Sequence, residues 1–107
     1  MNEQRINLLK AYIEDDPNDP FNYYGLAMEY IETDPELALE ILSKIIQDHS
    51  NYLPSYYKAA HLLWDMEEWD RAEKVFLKGI ELAELLNEKK TLSELKTSFQ
   101  NFQFERD

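Results

Sequence analysis

Two histidines, His49 and His61, and the acidic turn Asp15-Asp16-Pro17-Asn18-Asp19 are where chemistry would be sought in this sequence. Imidazole titrates near neutral pH and ligates metal ions, but a metal site needs a second ligand at a matching spacing. Neither histidine belongs to a His-x-x-x-His or Glu-x-x-His arrangement. His49 reads as a solvated turn residue and His61 as a packing or groove residue. The acidic turn has the carboxylate density of a cation loop, yet it lacks the Gly and the distal Glu of a calcium loop, and Pro17 interrupts the ligand alternation. It reads as helix caps and a turn. With no Cys there is no thiolate nucleophile, disulfide or Cys-ligated zinc. No Gly-rich phosphate loop and no Ser-His-Asp spacing is present. The expectation is no catalytic residue, no cofactor and no metal, so the chain is not expected to be an enzyme.

Composition narrows the remaining classes. At 107 residues the chain is long enough for one domain with a core, and 44% hydrophobic residues exclude disorder by composition. A formal net charge of −11 repels phosphate backbones and anionic headgroups, so nucleic acid and membrane are not expected partners. Met1-Asn2-Glu3-Gln4-Arg5 does not open a basic segment followed by an apolar run, and the cytoplasm is the expected compartment. Glu67, Glu68, Glu84 and Glu88 read as solvated helix faces near Arg71, Lys74 and Lys89.

The elements that would position any site are helices. Asn2 caps a first helix carrying Ile6, Leu9 and Ile13, which stops at Asp16-Pro17 because residues before proline are pushed out of the helical region. Asp19-Pro20 and Asp34-Pro35 each pair a cap with proline at the first helical position, predicting helices to about Glu32 and Asp48. Pro54 opens a fourth helix. Asp70 with Glu73 has capping-box form for a fifth, and Thr91 with Glu94 for a sixth carrying Leu92, Leu95, Phe99 and Phe102 on one side. Phe104 lies too near the end to place.

Two of these hairpins are near-copies. Tyr56 falls on Tyr23 and Ala60 on Ala27 at an offset of 33 residues, while Ala72 falls on Ala38 and Phe76 on Leu42 at an offset of 34. The one-residue difference lies in the turn between helices, so both helices keep register. The first copy supplies Tyr23, Leu26, Ala27, Tyr30, Ala38 and Leu42, and the second Tyr56, Ala59, Ala60, Leu63, Ala72, Phe76 and Gly79. This spacing resembles the tetratricopeptide repeat. Ile45 stands where that family prefers Ala, and Ser50 and Glu84 where it prefers Pro. The resemblance implies an all-α, right-handed stack of antiparallel helix hairpins with about six helices, in a single domain. Residues 2–14 would be an N-terminal half-repeat, 20–50 and 53–86 the two repeats, and 91–104 a C-terminal solvating helix.

In this family the first helix of each repeat lines the inner surface, so the resemblance implies a groove. The repeat core uses Tyr23, Leu26, Ala27 and Tyr30, which leaves Phe21, Tyr24, Met28 and Ile31 facing that groove. The equivalents in the second repeat are Pro54, Tyr57, His61 and Trp64. Large apolar residues on a face the repeat core does not need mark a binding surface. Lys90, Ser93, Thr97, Gln100 and Asn101 would extend it if the last helix stacks as a third inner helix. Some relatives grip a carboxylate tail with inward Lys, Arg and Asn; here Met28, His61, Glu32 and Asp65 occupy inner positions, with only Lys58 and Lys90 nearby, so that clamp is not matched. The expectation is a scaffold that binds a peptide or helix of a partner protein, apolar or basic in character, in an aromatic concave groove. The alternative is a homo-oligomer, such as a homodimer, that uses the same apolar surface. A terminal helix or a second chain covering the groove is left open.

Overall fold

Asn2 starts the first helix through its side chain, whose Oδ1 accepts from the Arg5 N–H at 3.0 Å. The computed structural model of the protein describes residues 2–107, and among them there are six helices and no strand. They are α1 (Glu3–Asp15), α2 (Pro20–Tyr30), α3 (Pro35–Asp48), α4 (Pro54–Asp65), α5 (Trp69–Leu85) and α6 (Lys89–Arg106). None of these is long and apolar enough to cross a membrane. The chain divides into two compact units, Met1–Ser55 and Tyr56–Asp107, with the division falling in the first turn of α4.

In the first unit, α2 packs against both α1 and α3. The starts of α2 and α3 are set by side chains: Asp19 Oδ1 accepts from the Phe21 N–H at 3.0 Å, and Asp34 Oδ1 from the Leu37 N–H at 3.2 Å, each with proline just inside the helix. Ile6, Leu9, Ala27, Ala38, Leu39, Leu42 and Ile45 are buried. Leu39 belongs to this core although the repeat pattern does not assign it there. Tyr23, Leu26 and Tyr30, expected in the core, are only half-buried. Ser55, fully buried, is satisfied because its Oγ donates to the Tyr52 carbonyl at 2.7 Å.

In the second unit, Phe76 on α5 has no exposed surface and is ringed by side chains from α4 and α6. Gly79, one turn further on, lets α5 pass close to its neighbours: a Cβ there would lie 3.0 Å from Tyr56 Cβ and 3.4 Å from Leu95 Cδ1. Leu95 and Phe102 close this core from α6, both fully buried.

The starts of α5 and α6 correct the expected capping boxes. Helix α5 begins at Trp69 and α6 at Lys89, and the N-cap residues Glu68 and Glu88 make no side-chain cap bond. Asp70 and Glu73 are already inside α5, where both carboxylates accept from Arg106 near the end of α6. Thr91 and Glu94 are likewise inside α6. The backbone supplies both turns instead. Glu67 sits at φ 59° and Asn87 at φ 57°. Behind them the Glu68 N–H reaches the Leu63 carbonyl and the Glu88 N–H the Ala83 carbonyl, each at 2.9 Å. These are Schellman closures, which use up carbonyls at one helix end as the next helix begins.

Candidate functional site

In the first unit, the cap at Asp19 puts Phe21 in the opening turn of α2, where its ring is 65% exposed. Tyr24, Met28 and Ile31 follow at helical spacing and are half-buried. The Tyr24 ring lies 5.7 Å from that of Tyr52, tilted by 58°. Burial, and then the neighbouring Tyr52, hold the Tyr24 hydroxyl protonated beyond the usual tyrosine range. Pro54 is exposed at the start of α4. Arg5 on α1 reaches Glu29 on α2 at 3.1 Å.

In the second unit, Tyr57, His61 and Trp64 recur on one side of α4 and touch in series. Ring centroids are 4.4 Å apart from Tyr57 to His61 and 5.6 Å from His61 to Trp64. The ladder does not stand free. His61 Nε2 is 3.2 Å from Ser98 Oγ on α6, Trp64 meets Phe102 edge-on at 5.6 Å, and both rings contact Phe76. All three remain half-buried. Burial pushes the His61 pKa below its ordinary value, with Asp65 opposing and Lys58 reinforcing the shift. The ring is therefore favoured as neutral imidazole.

Lys90, Ser93, Thr97, Gln100 and Asn101 on α6 are all exposed. Ser93, Thr97 and Gln100 share a shallow polar depression with Lys89, Leu92 and Lys96. The acidic turn is absorbed by helix ends: the Asp16 N–H reaches the Tyr12 carbonyl at 2.9 Å, and Asp19 caps α2. Among the described residues no group of three or more His, Asp or Glu side chains could hold a metal ion.

One feature has no counterpart in the expected site. A cavity of about 410 Å³ opens in the first unit, lined by Tyr23, Leu26, Leu37, Ile41 and Ile45, with Glu40, Lys44, Asp48 and His49 also contributing. It explains why Tyr23 and Leu26 are only half-buried. It also corrects the reading of His49, which is half-buried as the C-cap of α3 and not simply a solvated turn residue. The sequence signal was the apolar stripe Leu37, Ile41, Ile45 on α3, which periodicity assigns to core whether or not anything fills the space beside it.

No protein-family model matches the sequence, and no curated protein matches it. Solved structures do. A solution NMR structure of a tetratricopeptide repeat domain protein from Salinibacter ruber matches with a TM-score of 0.76 and 31% identity, over 81% of this chain and 89% of that chain. A crystal structure of a tetratricopeptide repeat domain protein from the same organism matches with a TM-score of 0.76 and 28% identity, over 79% of this chain and 97% of that chain. Likeness of sequence and of backbone together, across 89% of a solved domain and on the same all-α hairpins, places this chain in the tetratricopeptide repeat family.

Proposed function

We propose that the chain is a non-catalytic protein-interaction module that holds a peptide or helix of a partner protein. The contact residues are Phe21, Tyr24, Met28 and Ile31 on the first unit and Tyr57, His61 and Trp64 on the second. The observation that carries the reading is the partial exposure of these residues in a family whose repeat is a protein-interaction fold: Phe21 is 65% exposed, and none of the others is fully buried. Large apolar side chains left at the surface at helical spacing are the usual mark of a contact face.

Preorganisation supplies the mechanism. Tyr57, His61 and Trp64 are held by ring contacts to one another and by the packing of His61 and Trp64 on Phe76, so a partner has fewer rotamers to freeze. An aromatic anchor fully desolvated by a partner contributes on the order of 2 kcal/mol. Panning a peptide library against the protein, and against Phe21→Ala and Tyr57→Ala, tests the reading. Each variant should keep its far-ultraviolet circular dichroism and bind the recovered peptide about tenfold more weakly or worse. Peptides held equally by all three proteins would refute it.

Self-association is the second reading, favoured by Leu85 and Leu86 at the end of α5, which are 80% and 44% exposed. Sedimentation across a range of concentrations reads it directly. A dimer displaced by the recovered peptide would mean that the same surface joins identical chains.

A further inference from the structure

Charge is distributed unevenly along the chain. Residues 1–55 hold eleven acids against three bases, and residues 56–107 eleven against eight, so eight of the eleven net negative charges belong to the first unit. Between Lys10 and Lys44 there are nine acids and no base. Of the first unit's three bases, Arg5 is engaged with Glu29. A unit of this composition carries a negative potential that attracts cations and raises their encounter rate.

The cavity of about 410 Å³ between α2 and α3 lies in that unit. Its apolar lining comes from Tyr23, Leu26, Leu37, Ile41 and Ile45, and it falls within the range of about 300–1,000 Å³ typical of ligand pockets. Glu40 and Asp48, both exposed, stand two turns apart on α3 at its edge, with Lys44 between them. At about 3.6 residues per turn, Tyr23 and Leu26 project from the opposite flank of α2 to Phe21, Tyr24 and Met28. An occupant of the cavity therefore leaves those residues free.

We propose that this cavity is a second docking site, and that its occupant is a cationic amphipathic segment of another protein. An apolar side chain of that segment enters between Leu26, Leu37 and Ile41, while Lys or Arg residues on either side of it meet Glu40 and Asp48. Charge selects this occupant over a second copy, because two chains of net charge −11 repel. It also selects against an anionic lipid surface. Lys44, between the two acids, opposes the ligand and tunes its affinity.

Three fluorescent peptides test the proposal on the full chain: Leu and Phe anchors with Lys flanks, the same anchors with Glu flanks, and Lys flanks with Ser at the anchor positions. The first should bind, and the other two about tenfold more weakly or worse. Glu40→Lys with Asp48→Lys should weaken the first peptide about tenfold, whereas Lys44→Glu should tighten it. These positions are exposed, and circular dichroism confirms that each variant is folded. Glu81→Lys with Glu84→Lys, exposed reversals on α5 that change the net charge by the same amount, should leave binding unchanged, so an equal loss in that variant would belong to overall charge and not to this cavity. The proposal is overturned if the first peptide does not bind, if the Glu-flanked peptide binds as well, if the charge reversals have no effect, or if the peptide is displaced by dimerisation of the chain.

Discussion

The two glycines meet their neighbours differently, and the difference sets the sign of a substitution. At Gly79 a new Cβ would lie 3.0 Å from Tyr56 Cβ, an atom fixed to its own helix backbone. At Gly25 it would lie 3.1 Å from Leu9 Cδ2, the far end of a side chain that can turn aside. Alanine gains about 1 kcal/mol of helix propensity at either position. Gly79→Ala should nevertheless destabilise by about 1–2 kcal/mol, since overpacking outweighs the gain, while Gly25→Ala should stabilise by about 0.5 kcal/mol. Urea denaturation of both variants checks the pair. His61 gives a pH dependence. Its folded pKa is lowered from the ordinary histidine value, chiefly by burial, so the folded chain favours neutral imidazole. The stability this confers is complete above the unfolded value and is lost as pH falls below it towards the folded pKa. Between pH 7.5 and 5.5 the urea midpoint should fall further for the native chain than for His61→Gln; equal falls would show that this side chain does not carry the effect.

At the scale of elements, the two backbone-closed turns invite substitution. Glu67 holds a left-handed conformation in which a Cβ crowds the following carbonyl, so Glu67→Gly should raise stability by up to about 1 kcal/mol. Asn87→Gly should gain less, because asparagine tolerates that region better. Thermal melting of the two variants ranks them. The same turns show what could be read from the sequence. Helices opened by Asp19-Pro20, Asp34-Pro35 and Pro54 were legible because those residues act on their own backbone within a few positions. The starts of α5 and α6 were not, because the closure lies in main-chain geometry at Glu67 and Asn87, which no side chain advertises. Asp70 and Glu73 imitate a cap in sequence but answer to Arg106, more than thirty residues away. The candidate face had the same limit. Periodicity put Tyr57, His61 and Trp64 on one side of α4, but the contacts to Ser98 and Phe102 depend on how α6 packs. The cavity beside Leu37 and Ile41 is a space, and residue types do not encode an unfilled one.

For the whole molecule, charge is the dominant long-range term. A net charge of −11 opposes the compact state through self-repulsion, whereas the ion pairs of Arg5 and Arg106 are at the surface and contribute little. Raising ionic strength from 0.01 to 0.15 M shortens the screening length from about 30 to about 8 Å. The urea midpoint should therefore rise with sodium chloride. A fall would mean that attraction within the ion pairs outweighs repulsion among the remaining acids. The ring cluster around Phe76 has a further consequence. Both tryptophans, Trp64 and Trp69, pack on Phe102, so the chain's intrinsic indole emission originates wholly in residues 56–107. The other half signals only through tyrosine. The protein thus carries a built-in optical label for one half, and comparing that emission with the helical signal during a melt separates the fates of the two halves without adding a dye.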